Sequence, residues 1–244
     1  MNTLIKANIT RMTKHIFFIP GLILAVAITY LGMHAAVAIR GTDIEVAQYW
    51  QKLAALGIPA FFSLFIPLFV GGEYKDGAIR NKAIAGHKQS SVYMAELISV
   101  ASGVAIMWIC WMLGGISFIL VNGGSLSAAF LTDGLAILAC DLFYASIITA
   151  IAMRIRRMEI AAVLSIIFFM FSYFAGVTVF TLNMIKDSNI ALGIIENIFP
   201  LGQWFGIMNC DECVPTIVRI AIALAMTVIF TLIGNFRINK RELV

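Results

Sequence analysis

Charge is what this sequence most lacks. Asp, Glu, Lys and Arg make up 12% of its 244 residues, where soluble domains carry about 25%. With 61% hydrophobic residues and a mean hydropathy of +0.96, a water-soluble fold is excluded. Histidine is also scarce: His15, His34 and His87 are far apart in the chain. With no H-E-x-x-H, no paired glutamates ahead of a histidine and no serine elbow, neither a metal site nor an intramembrane protease is expected. A phosphate-binding G-x-x-x-x-G-K-[ST] loop is missing too. The nearest match, "GHKQSS" (86–91), lacks the first glycine and the preceding strand. The chain is therefore expected to bind no ATP, no metal and no other cofactor, and not to be an enzyme. A cleaved leader is not expected either. "HAAVA" (34–38) has the small-residue pattern, but the apolar run before it, about 22 residues, exceeds the 7–15 of a signal core.

What the chain has is long apolar runs. A hydrocarbon core about 30 Å thick needs about 20 apolar residues per helix. Six stretches qualify, about 16–38, 53–72, 93–121, 128–152, 160–182 and 216–236. They are continuously apolar rather than alternating, which fits helices and not a barrel. The fold class is all-α integral membrane, with six transmembrane helices. Basic residues set the orientation. Of the 17 Lys and Arg, 13 fall on one side: Lys6, Arg11, Lys14, Lys75, Arg80, Lys82, Lys88, Arg154, Arg156, Arg157, Arg237, Lys240 and Arg241. Arg40, Lys52, Lys186 and Arg219 fall on the other. This predicts a multi-pass cell-membrane protein with both termini cytoplasmic. The same bias accounts for the net charge of +4, so no nucleic-acid partner is implied.

Three segments outside the spans stand out. Residues 1–15 place Ile5, Ile9 and Met12 on one helix face, with Lys6, Arg11 and Lys14 elsewhere on the wheel. That pattern predicts an amphipathic helix in the membrane interface, followed by the transmembrane domain, 16–244. Residues 73–90 are the longest cytoplasmic interruption. Asp76 is placed to cap a short helix, and Gly86 to end it in the left-handed region. Such a helix is marginal alone in water and needs something to dock on. Outside, residues 183–215 are mostly apolar but are broken by Pro200, Gly202 and Gly206. They predict a re-entrant or surface-lying helical hairpin.

Candidate chemistry is sparse. Cys210 and Cys213 read as a local disulfide on the outer side, as two free thiols, or as half of a zinc site shared between chains. Asp141, near the middle of the fourth span, is a proton or ligand site or a structural fixture. Glu96 is expected to pair with a nearby base. Nine of the 18 phenylalanines lie in spans two and five. Of the aromatic residues there, Phe61, Phe65, Phe69, Phe169, Tyr173 and Phe180 are candidates to line an apolar substrate's path. Helix packing and lipid contact explain the same distribution, and spacing does not decide.

The stretch "GGEYKDGAIRNKAIAGHKQSSVYMAELI" (71–98) resembles the segment after the second span of type-2 ABC transporter permeases. Glu73, Tyr74, Gly77, Arg80, Asn81, Lys82, Gly86 and Tyr93 match that family's pattern, and Ala78 departs from its usual Thr or Ser. "NIFPLGQW" (197–204) and "NFRINKREL" (235–243) look similar as well. The look is closest to bacterial permeases that export peptide toxins or confer lantibiotic immunity. The resemblance implies that about 73–90 is a cytoplasmic coupling helix resting on a separate ABC ATPase subunit. Its contacts would be Glu73, Tyr74, Lys75, Asp76, Gly77, Arg80, Asn81, Lys82, Gly86 and His87. It further implies two ATPase copies carrying ATP and Mg, a second permease chain, identical or homologous, and an amphipathic peptide or other apolar cargo. The rival expectation is an ATP-independent carrier or channel that uses Asp141.

Overall fold

In the computed structural model, residues 1–40, 44–185, 190–209 and 214–236 are described; Cys210 and Cys213 lie outside them. Among the described residues every regular element is a helix. In chain order these are α1 (Asn2–Thr13), α2 (Phe18–Arg40), α3 (Ile44–Ala54), α4 (Gly57–Lys75), α5 (Ala78–Ile84), α6 (Gln89–Val121), α7 (Ala128–Arg154), α8 (Met158–Ile185), α9 (Ile190–Glu196), α10 (Pro200–Met208) and α11 (Thr216–Asn235). Six stretches, α2, α4 together with α3 from Val46, α6, α7, α8 and α11, are long and apolar enough to cross a membrane. This makes the chain a multi-pass membrane protein.

The centre of the bundle is α7, the most buried of the spans, with α4, α6, α8, α10 and α11 packed around it. The outer spans α2, α8 and α11 bury only about a fifth of their residues or fewer and present apolar faces outward. Aromatic and aliphatic side chains from α2, α4, α6, α7 and α10 form one continuous core. Hydroxyls inside the spans bond back to the carbonyl four residues earlier, as Thr29 does to Ala25, Ser99 to Ala95 and Thr149 to Ala145. These hydroxyls are thereby satisfied within their own helices rather than left to face lipid. Small residues allow close crossings. A Cβ on Gly176 of α8 would lie 2.8 Å from the backbone nitrogen of Gly202 in α10, so only hydrogen fits there.

The helices outrun the apolar stretches. At 1.5 Å per residue, the 33 residues of α6 extend about 50 Å, well beyond a core of about 30 Å. Span ends therefore project past the hydrocarbon, and the charged residues gather on those projections. One end of the bundle carries α1, α5 and the α7–α8 turn; the other carries α3, α9 and α10. At the second end, the Lys52 ammonium donates to the Asp133 carboxylate at 2.5 Å and to the Ile207 carbonyl at 3.3 Å, joining α3, α7 and α10.

Candidate functional site: a buried charge network under α5

The charged stretch after the second span forms two structures, not one. Helix α4 runs on through Glu73 and Tyr74 to Lys75, and Asp76 closes it. The chain then turns at Gly77, whose φ of +69° lies in the left-handed region that glycine enters without a Cβ penalty. Gly77, not Asp76, stands at the cap position of α5, and no side chain caps that helix. At the other end Gly86 has φ +86°, as expected for a residue that ends a helix in the left-handed conformation.

The turn folds α5 back over the ends of α4 and α6 and brings five polar residues together. Glu73 and Glu96 are 1% and 0% exposed. The Lys82 ammonium donates to both oxygens of Glu73 at 2.7 Å and to Glu96 Oε1 at 3.0 Å. Arg11 of α1 pairs with Glu73, donates to the Phe69 carbonyl at 3.1 Å and stacks 4.3 Å over the Phe69 ring. Asn8, also on α1, donates to Glu96 Oε1 at 2.7 Å and accepts from Lys82 at 3.0 Å. Two acidic side chains thus meet two basic ones. A buried charge is tolerated only when so paired and hydrogen-bonded. Four helices, α1, α4, α5 and α6, are thus fastened at one point.

This arrangement sorts the α5-region candidates into an inner and an outer set. Glu73 faces inward, and Lys82 has a side chain only 14% exposed. The Tyr74 hydroxyl donates to the Met153 carbonyl at 2.8 Å, fixing α4 to the end of α7. Lys75, Asp76, Arg80, Asn81, Gly86 and His87 are exposed on the outer surface, and Gly77 is half-buried in the turn. Glu96 does have its base, and the base is Lys82. Arg11 and Asn8 are partners that no local spacing announced, since they lie more than 60 residues from the carboxylates they hold. On α1, Met12 is buried and Ile5 and Ile9 are half-buried, while Lys14 is exposed.

The aromatic candidates fall into two groups. Phe61, Phe65 and Phe69 stack in a ladder along α4, with centroids 5.2 and 5.8 Å apart, and the ladder abuts Phe18 and His15. Phe65 and Phe69 are buried inside the chain. Phe169 meets Tyr144, whereas Tyr173 and Phe180 meet Phe205 of α10. Asp141 is buried in α7, and its Oδ2 has no partner among the described residues.

A second buried ion pair lies at the far end. Arg219 of α11, 2% exposed, donates to Glu196 at 3.1 Å and to the Val214 carbonyl at 3.1 Å. The pair ties the α9–α10 segment to α11. Gly206 leaves room for it, because a Cβ there would collide with both the guanidinium and the carboxylate. From sequence, Arg219 counted only as a basic residue of the outer side. Among the described residues no group of His, Cys, Asp and Glu could hold a metal ion. No family model matches the chain, and no curated protein matches it.

Proposed function

We propose that the chain is the membrane-spanning permease subunit of an ATP-driven exporter, with ATP hydrolysis on a separate subunit. The observation that carries this reading is the fastening of α5. A seven-residue helix is too short to be stable by itself, and here it is clamped by Lys82 to Glu73 and Glu96. Its opposite side, with Arg80, Asn81, Ile84 and His87, is exposed. A force applied to that side reaches α4 and α6 through Lys82, and α1 through Glu73 and Arg11. A short helix built to transmit displacement, in a chain whose sequence shows no phosphate-binding loop, fits a coupling element that rests on an ATPase.

In this reading the α5 end of the bundle is cytoplasmic and lies at a bacterial cell membrane. Residues 1–13 lie in the inner interface, and α9–α10 form the outer lid. Two permease chains and two ATPases make the working unit, and the cargo is an amphipathic peptide or other apolar molecule. One observation favours a second reading. The Asp141 carboxyl in the most buried span, whose Oδ2 has no partner among the described residues, suits an ion- or proton-coupled carrier.

A mild-detergent pull-down from the native host, with ATPase activity assayed on the eluate, separates the two. A stoichiometric ATPase that is lost with Arg80→Glu supports the exporter. A permease that purifies alone, with gradient-driven transport abolished by Asp141→Asn, supports the carrier.

A further inference from the structure

Beside α5 lies a groove of about 560 Å³. Its walls are the end of α4, the flank of α5 and the turn from α7 into α8. Lys75, Arg80, Arg156 and Arg157 line it, against the single carboxylate of Glu159. All four cationic residues are exposed. Lys75, Arg80 and Arg157 have no ion-pair partner among the described residues. The floor is apolar, made by Gly71, Ile79 and Met158. Four cations held around one hollow repel each other and attract a multiply charged or phosphate-bearing anion. The first turn of α8 adds unpaired backbone N–H groups and the positive end of a 28-residue helix.

What lies below the groove indicates which anion. From Glu159, which lines the groove, Val163, Ile167, Met170 and Phe174 follow along one face of α8 at i+4, i+8, i+11 and i+15. Each of these four is exposed. A basic hollow at the end of a span therefore continues into an unbroken apolar stripe running down that span. A soluble phosphate compound would use the hollow and leave the stripe bare, whereas a lipid uses both.

We propose that this groove is a binding site for an anionic phospholipid. The headgroup phosphate sits among Lys75, Arg80, Arg156 and Arg157, and an acyl chain lies along Val163, Ile167, Met170 and Phe174 of α8. The site is independent of the exporter reading, since it needs neither an ATPase nor a second permease. Occupancy would brace α5 against the α7–α8 turn from the side opposite the Lys82 clamp, making the position of α5 sensitive to membrane composition.

The test is native mass spectrometry of the purified permease titrated with phosphatidylglycerol or phosphatidylcholine. Wild-type protein should retain phosphatidylglycerol in preference. A cation near a membrane surface is worth about 1 kcal/mol toward an anionic lipid. Each of Arg156→Gln and Arg157→Gln should thus weaken retention about fivefold, and the double variant about twenty-five-fold. Both positions are exposed, so the variants are expected to remain monodisperse, and Arg157→Lys should bind nearly as wild type. Glycerol 3-phosphate supplies the headgroup without the chains. If it competes as well as the lipid does, the site belongs to a soluble phosphate compound and the proposal fails. It fails equally if phosphatidylcholine is retained as well as phosphatidylglycerol, or if the double variant binds as wild type.

Discussion

The ammonium of Lys82 lies 2.7 Å from each carboxylate oxygen of Glu73, and the two are nine residues apart across a left-handed glycine turn. Their pairing converts a run of surface-type charges into a joint. It also brings Glu96 within 3.0 Å of the same ammonium, so that one cation serves two buried carboxylates. Without Lys82, Glu73 would keep Arg11, and Glu96 would keep only the amide of Asn8.

Removing that ammonium should therefore be severe. Lys82→Met leaves two carboxylates buried side by side with a single cation, and breaking a buried pair from one side costs about 3–5 kcal/mol. For a chain of this size, that corresponds to a fall in melting temperature of about 10 °C. Neutralising the carboxylates in the same background, with Glu73→Gln and Glu96→Gln, should restore much of the loss. Thermal unfolding in detergent measures both. Equal melting temperatures for wild type and Lys82→Met would show that the cluster contributes nothing.

Gly77 sets the direction of α5. A proline there is confined to φ near −65° and cannot adopt +69°. Gly77→Pro should swing α5 away and separate Lys82 from Glu73. On the proposed exporter reading, the expected outcome is a chain that still inserts in the membrane but loses export and any co-purifying ATPase. Gly77→Asn, which tolerates the left-handed region, should retain most of both. Export unchanged in Gly77→Pro would remove α5 from the mechanism.

The spans could be read from sequence because membrane insertion imposes a local rule, about 20 apolar residues in a row, and each run satisfies it within itself. Their boundaries were less legible. The third span begins at Gln89 rather than near 93, because helical hydrogen bonding does not stop at the hydrocarbon boundary, and the apolar stretch of the second, Val46–Lys75, is made of two helices, α3 and α4. The charge network was largely hidden. Its members come from α1, α4, α5 and α6, and no spacing in the chain relates Asn8 or Arg11 to residues 73, 82 and 96. Asp76 looked like the helix cap by residue type, yet the turn needed a positive φ and gave that place to Gly77. Glu196 and Arg219 escaped notice for a similar reason. A broken apolar segment shows where the chain leaves the span pattern, but not which charges it covers.

That far-end pair makes a contrast between two glycines. At Gly206 an added methyl would meet the Arg219 guanidinium and the Glu196 carboxylate, neither of which can move without losing its partner. At Gly57, in the first turn of α4, an added methyl meets nothing within 4 Å. Gly206→Ala should lower the melting temperature by several degrees. Gly57→Ala should leave it unchanged or raise it, since alanine is favoured in a helix by up to about 1 kcal/mol. Should Gly206→Ala prove as benign as Gly57→Ala, the Arg219–Glu196 pair would not be a fixed element of the fold.

His15, in the bend between α1 and α2, gives the fold a pH dependence of definite sign. Its ring lies 5.2 Å from Phe65 and 6.4 Å from Phe69, both edge-on. Partial burial, and then the positive charge of Arg11, hold its pKa below the ordinary 6.5. The folded protein thus disfavours the imidazolium, and the unfolded chain binds the proton more readily. Stability from this residue is present above pH 6.5 and is lost as the pH falls from there toward the lowered value. Because the ring is only partly buried, the effect should be small. Melting temperatures taken from pH 7.5 down to pH 5.5 should fall more steeply for wild type than for His15→Asn. Parallel curves would mean that His15 titrates as it does in the unfolded chain, and that the bend is not closed against the Phe65–Phe69 ladder.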